Sequence, residues 1–332
     1  MALPDRGYLG LAKETTEGIA ATPTAFLPIE EVDFPFENEF INYRTIRGSR
    51  QAYQLLPGAI RPTATFRGPL YASGMVGHLF QGLFGTSTSA LESPSTTARR
   101  HSFVDAYALN SYTLQRSDDR QGGSGILAAE QVSGAKVERI AIDCQFGEKV
   151  NYEVSMQVLT KPIITTPISG STVNAAYPVE KPMYFKGATV KVDGTANNQF
   201  RSIRVEMNNT LTRLEALRGV QTSYSIQPGG FMCNMSGTLI FNSLTEYNKA
   251  LNSTAMAVEL NLVSDTAADG ANTIPYSVKI AVPACYISKY SIPFKVGDTI
   301  EADVTFQVDY DLTTSKSVDV SIVNLAASGA FA

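Results

Sequence analysis

Residues 46–58 read IRGSRQAYQLLPG and residues 217–229 read LRGVQTSYSIQPG. The two align without a gap at a numbering offset of 217 − 46 = 171, and Arg47, Gly48, Tyr53, Pro57 and Gly58 recur as Arg218, Gly219, Tyr224, Pro228 and Gly229. A single copy would suit a loop that cradles a ligand. A second copy raises a different question, namely how much of the chain is repeated with it.

The flanks repeat as well. At the same offset VDFPFENEF (32–40) falls on IRVEMNNTL (203–211), which sets Val32, Phe34, Phe36 and Phe40 on Ile203, Val205, Met207 and Leu211. Alternate apolar residues mark a half-buried strand, because successive side chains of a strand face opposite ways. The same face is therefore expected to be buried in both copies. Allowing a slip of two positions, PTATFRGPL (62–70) matches FMCNMSGTL (231–239), pairing Phe66 with Met235 and Gly68 with Gly237. A helix follows in each copy. The first has Met75, Val76, Leu79, Phe80 and Leu83 on one stripe; the second has Leu244, Tyr247 and Leu251, with Ser243 and Glu246 in a capping-box pattern.

The last matched unit pairs FGEKVNYEVSMQV (146–158) with VGDTIEADVTFQV (296–308), and ten of the thirteen pairs are identical or alike in chemistry. Gly147 and Gly297 are expected to turn a hairpin before each strand. One face of that strand is apolar, with Val150, Val154, Met156 and Val158 matching Ile300, Val304, Phe306 and Val308. The other is polar, with Glu153, Ser155 and Gln157 matching Asp303, Thr305 and Gln307. The offset has dropped to 297 − 147 = 150, so the first copy carries an insertion, placed within residues 86–133.

The expected organisation is an N-terminal arm over 1–25, a first domain over 26–165, a linker over 166–182, a second domain over 183–325 and a C-terminal tail over 326–332. Two domains suit the length of 332 residues, since domains run to roughly 100–200 residues each. Charged residues make up only 17% of the chain, and Thr, Ser, Val and Ile are abundant, which favours strands. The fold class expected is mainly β, in two tandem domains that each carry one helix.

The composition also narrows the function. A net charge of −4 disfavours a surface built to grip phosphates. Cys144, Cys233 and Cys285 are odd in number and widely spaced, so they read as small buried hydrophobes rather than a disulfide framework or a zinc site. Two histidines, His78 and His101, are the whole imidazole supply, which argues against a triad or a histidine metal site. The run DDRQGGSG (118–125) is rich in glycine but lacks the Lys-Ser/Thr pair of a phosphate cradle, and it reads as a loop tip. No catalytic residue, metal site or cofactor is expected, and no stretch reaches the roughly 18 apolar residues of a membrane span.

The opening GYLGLAKETTEGIAATPTAFLPIEEVDF, followed by a strand, IRGS, a strand bearing glycine and a helix, resembles the tail tube proteins of long, non-contractile-tailed bacteriophages, in the larger form with two tube domains in one chain. The resemblance implies two tandem tail-tube-type β-sandwich or barrel domains from an internal duplication, each flanked by one helix, assembled into trimeric rings of pseudo-sixfold symmetry that stack into a hollow tube through which DNA leaves the virion without specific binding. It also implies a tape measure protein inside, a tail terminator and tail-tip or baseplate proteins at the ends, assembly in the host cytoplasm, and no membrane. On this reading the faces of Glu153, Ser155, Gln157, Asp303, Thr305 and Gln307 line the lumen. The loops carrying Arg47, Gly48, Tyr53, Pro57 and Gly58, and Arg218, Gly219, Tyr224, Pro228 and Gly229, stack one ring on the next. A tail terminator, a head-surface protein and a carbohydrate-binding double β-sandwich are also compatible with the strand content, though a chain without tryptophan lacks the usual aromatic sugar platform.

Overall fold

The computed structural model describes residues 7–42, 54–118, 129–269, 273–294 and 299–331. The protein is mainly β. The first half contains β1 (Tyr8–Lys13), β2 (Ala25–Leu27), β3 (Glu31–Asp33), β4 (Asn38–Asn42), β5 (Leu55–Ile60), β6 (Thr63–Pro69) and α1 (Val76–Phe84). It continues through β7 (Gly85–Leu91), β8 (Arg99–Asp105), β9 (Tyr112–Ser117), β10 (Glu130–Gln145), β11 (Asn151–Gln157) and β12 (Ile163–Ile164), then α2 (Gly170–Ala176). The second half contains β13 (Ala188–Val192), β14 (Thr195–Ala196), β15 (Phe200–Leu214), β16 (Ser225–Ile240), α3 (Thr245–Leu251), β17 (Met256–Ala267), β18 (Pro275–Ser291), β19 (Glu301–Val308) and β20 (Asp319–Asn324).

Strand registers repeat between the halves. The pairs Asn38↔Ile60 and Phe40↔Pro57 of β4–β5 reappear in β15–β16 as Asn209↔Phe231 and Leu211↔Pro228, both at the offset of the opening repeat, with the bulge in the same place. The pair Val32↔Phe66 becomes Ile203↔Gly237 at that same offset. The two-position slip expected before the second strand is therefore absent: Phe66 corresponds to Gly237, and Ala64 to Met235. The bulge that shifts the later register is shared by both copies, so no slip is needed to keep the core face inward.

The long strands repeat too. In β10–β11 the pairs Val137↔Met156 and Arg139↔Ser155 flank a bulge, and β18–β19 has Ile287↔Phe306 and Lys289↔Thr305 flanking its own, both strands at the offset of the last matched unit. The first half of β10 pairs with β9, and the corresponding part of β18 with β17. β9 is thus a member of the repeat. Among the described residues of the expected insertion, the part without a counterpart is the β7–β8 hairpin, whose β8 continues a sheet by pairing with β20.

The halves meet along one seam. The second part of β10 pairs with β11 on one side and with β15 on the other, from Arg139↔Asn208 to Gln145↔Ser202. A single curved sheet results, in the order β3, β6, β11, β10, β15, β16, β19, β18. Val154, Met156, Ile140, Ile142, Val205, Met207, Met235, Val304 and Phe306 lie on its buried face in one core. That core also receives Met75, Val76, Leu79, Phe80 and Leu83 of α1, the stripe expected from the sequence.

Several local expectations change. Residues Tyr8–Lys13, within the stretch expected as an arm, form β1, buried between β2 and β9. Alternation could not signal this, because Tyr8, Leu9, Leu11 and Ala12 are buried on both faces. In the tail Phe331 is buried against His78 and His101. The stretch expected as a linker contains α2, whose Val173 packs on Tyr8 and Phe26. Of the stripe expected around α3, Leu244, just before the helix, and Leu251 are exposed, whereas Tyr247 packs edge-on against Tyr290 at 5.6 Å, and Glu246 is buried and accepts from Asn197 Nδ2 at 2.8 Å. That helix is only two turns long, and Tyr247, Ala250 and the buried Glu246 carboxylate anchor it rather than the two leucines.

Candidate functional surface: a polar sheet face and two hairpin arms

Alternation along β11 and β19 turns the apolar residues into the core and leaves Glu153, Ser155, Gln157, Asp303, Thr305 and Gln307 on the opposite, solvent-accessible face. The eight-strand sheet carries that face across both halves. One row runs Arg67, Glu153, Ala141, Glu206, Asn234, Gln307, and the next runs Asn151, Asp143, Arg204, Ser236, Thr305, Lys289.

The charges on this face are mostly matched. Arg139 lies 3.2 Å from Glu153 and 3.0 Å from Glu206, and Arg204 pairs with Asp143 and lies 3.6 Å from Glu153. Half-exposed pairs of this kind add little stability, typically under about 1 kcal/mol each. Their larger effect is that two guanidinium groups are held by carboxylates instead of being open to a passing anion. The two corresponding acids are not alike. Glu153 sits between two arginines, whereas Asp303 accepts from Thr238 Oγ1 at 3.2 Å and makes no ion pair among the described residues.

The repeated loops belong to two hairpin arms, β4–β5 and the outer part of β15–β16. Arg47, Gly48 and Tyr53 lie outside the described residues. Pro57 and Gly58, like Pro228 and Gly229, lie inside strands and opposite the bulges. A Cβ on Gly58 would sit 3.0 Å from the Glu39 carbonyl oxygen, and one on Gly229 would sit 2.6 Å from that of Thr210. The repeated glycine therefore admits the extra bulge residue of the facing strand. In the second loop Gly219 has φ +72°, and Arg218 lies over the Tyr224 ring at 5.2 Å while its Nη2 donates to the Ser223 carbonyl. This loop also reaches the first arm: Gln221 Nε2 donates to the Gly58 carbonyl and Ile60 N to the Gln221 carbonyl, both at 2.9 Å.

Two acids of KETTEG, which the sequence reading passed over, hold this region together. Glu14 is buried and accepts four hydrogen bonds, from Thr113 Oγ1 and Gly134 N at one oxygen and from Ser111 Oγ and Gly18 N at the other, all at 2.8–2.9 Å. Gly134, at φ +69°, is the residue that bulges β10, so Glu14 takes up the amide that the bulge frees. Glu17 accepts from Ile226 N and Ser225 Oγ of the second arm and pairs with Lys136, each at 3.0 Å. An acid spaced three positions from another in a polar segment gives no periodic signal, so only the fold reveals them.

The three thiols are buried and free, and desolvation pushes Cys144 up to about 11 and Cys233 and Cys285 up to about 12. No described helix is long and apolar enough to cross a membrane.

A sheet that runs through both halves, a polar face whose charges are largely paired and two hairpin arms suit a structural protein. The family model for phage tail tube protein matches residues 4–308, and the chain belongs to that family. It is accordingly a structural component of the virion tail, one that assembles into a tube with other tail proteins. A search of curated proteins finds no match.

Proposed function

We propose that the chain arose by duplication of one tube domain and forms trimeric rings of pseudo-sixfold symmetry, which stack into the tail tube of a long, non-contractile-tailed phage. The observation that carries this reading is the repetition of strand register, bulges included, at two fixed offsets along the chain. Two halves with one backbone plan, joined by a strand seam, are what a rotation needs in order to place six equivalent units from three chains around an axis.

On this reading the polar sheet face, with Glu153, Ser155, Gln157, Asp303, Thr305 and Gln307, lines the lumen. Lysine and arginine contacts to phosphate release counterions and build affinity, so a conduit for DNA does best with its arginines already paired. The pairing of Arg139 and Arg204 with Glu153, Glu206 and Asp143 suits that requirement. The two arms, with Arg47, Gly48, Tyr53, Pro57 and Gly58 on one and Arg218, Gly219, Tyr224, Pro228 and Gly229 on the other, carry the contact between rings. A tape measure protein occupies the bore during assembly in the host cytoplasm, and terminator and tip proteins close the ends.

Electron microscopy of the purified full chain tests this. Long tubes with three copies per ring are expected, with Glu153 and Asp303 facing the bore. Six copies per ring, or closed rings that never stack, would overturn the assembly, and a bore lined by another face would overturn the lumen assignment.

A further inference from the structure

The two strands of the internal seam have counterparts in residues 31–37 and 289–294, and among the described residues each of these pairs with a strand on one side only. Applying the offset of 150 to its β10 side and of 171 to its β15 side turns Arg139↔Asn208 into Lys289↔Glu37, Ile140↔Met207 into Tyr290↔Phe36, Ile142↔Val205 into Ile292↔Phe34, and Cys144↔Ile203 into Phe294↔Val32. We infer that the edge formed by residues 31–37 of one copy pairs antiparallel with residues 289–294 of a second copy in this register. The inference rests on the ring reading above and specifies its contact.

Hydrogen-bonding parity supports it. In the seam Phe146 N donates to the directly opposite Arg201 carbonyl at 2.9 Å, which makes the even-numbered residues of β10 the bonding ones. Their counterparts are Tyr290, Ile292 and Phe294 facing Phe36, Phe34 and Val32, all with a backbone N–H. Proline interrupts both edges, at Pro35 and Pro293, but only at positions whose N–H would point away from the partner. Thr63 N donates to the Pro35 carbonyl at 3.0 Å, so Pro35 faces β6. The Val32 carbonyl points to the open edge, where it accepts from Arg116 Nη1 at 3.0 Å and keeps a second lone pair.

Side chains agree. The bonded pairs are apolar on both strands, and Lys289 opposite Glu37 joins opposite charges. Phe36 is 49% exposed and Phe294 76%, whereas their seam counterparts Met207 and Cys144 are buried. The arms repeat the contrast: Leu211 and Ile226 of the second arm are buried against Leu159, while their counterparts Phe40 and Leu55 are 60% and 57% exposed. Backbone order follows suit. β15 runs unbroken from Phe200 to Leu214, whereas the same course in the first half is broken between β3 and β4, where it has no partner on one side.

The test is a disulfide between copies. Lys289 and Glu37 form a non-hydrogen-bonded pair, the closer type, with Cβ atoms about 4.5–5.5 Å apart. The full-chain double variant Glu37→Cys/Lys289→Cys, oxidised after assembly, should give covalent dimers and closed trimers in denaturing gels. The control Asp33→Cys/Lys289→Cys, four positions or about 13 Å out of register, should not. In parallel, Lys289→Glu and Glu37→Lys should each raise the concentration needed for assembly several-fold, and the exchange of both should restore it. Wild-type tubes whose cysteine pair stays monomeric, cross-links only within one chain, or cross-links no better than the control would overturn the register while leaving the ring intact. A wild-type chain that forms neither rings nor tubes would remove the ring reading and this contact with it.

Discussion

Glu14→Gln isolates what a buried carboxylate contributes to this fold. Each Glu14 oxygen takes one hydroxyl and one backbone amide: Thr113 Oγ1 with Gly134 N, and Ser111 Oγ with Gly18 N. In glutamine one oxygen becomes an amide group. The hydroxyl facing it can rotate and accept, but the backbone N–H facing it cannot. One buried amide is therefore orphaned, at a cost of about 1–3 kcal/mol. Glu14→Ala strands all four donors and removes the support of the β10 bulge, so its loss should reach at least about 4 kcal/mol. Urea unfolding followed by far-ultraviolet circular dichroism reads both, at one fixed concentration so that assembly does not contribute unequally. Tryptophan fluorescence is not an option, since the chain has none. A glutamine variant as stable as wild type to within the scatter of harmless surface substitutions, or one as damaged as the alanine variant, would refute the assignment of acceptor roles.

Other expectations follow from single contacts. Gly229→Ala would place a Cβ 2.6 Å from the Thr210 carbonyl, whereas at Gly230 nothing lies within 4 Å, so the first should impair tube formation seen by electron microscopy and Gly230→Ala should not. Burial, with a smaller effect of Lys13, lowers His78 from 6.5 to about 4, so the unfolded chain binds the extra proton between those values. Stability is then full above about pH 6.5 and falls on acidification, by about 2 kcal/mol between pH 7.5 and 5 from this one group; urea midpoints across that range should show the slope, and His78→Gln should flatten it. Cys144, Cys233 and Cys285 should resist a thiol reagent at pH 8 in the native protein and react together once urea unfolds it. Glu17→Ala should loosen the second arm, read as faster amide exchange at Ser225 and Ile226, because it removes acceptors from Ile226 N and Ser225 Oγ.

Half-buried strands are legible in the sequence because they alternate. The faces of β11 and β19 can be read residue by residue, and the α1 stripe follows from its spacing. β1 escapes for the opposite reason: YLGLAK is buried on both faces, and continuous burial has no period. The two-position slip comes from matching Gly68 to Gly237 by identity at the expense of register, yet these glycines meet different neighbours, the Pro28 and Ser202 carbonyls, for different local reasons. Glu14, Glu17 and Phe331 reach partners far away along the chain, and no local pattern encodes partners at that distance.

The differences between the halves carry as much information as the likeness. If the repeat served only to build two similar domains, the exposed residues of one should be the exposed residues of the other. Instead Phe36, Phe40 and Leu55 are exposed where Met207, Leu211 and Ile226 are covered, and each covered residue owes its burial to the other half of the chain. The second half thus already sits in the environment that the first half lacks. At these three positions an exposed apolar residue of the first half matches a covered one of the second, as expected of one interface closed once within the chain. On the proposed ring reading the chain's remaining two edges would complement each other, and association with further copies would give the repeated residues like surroundings.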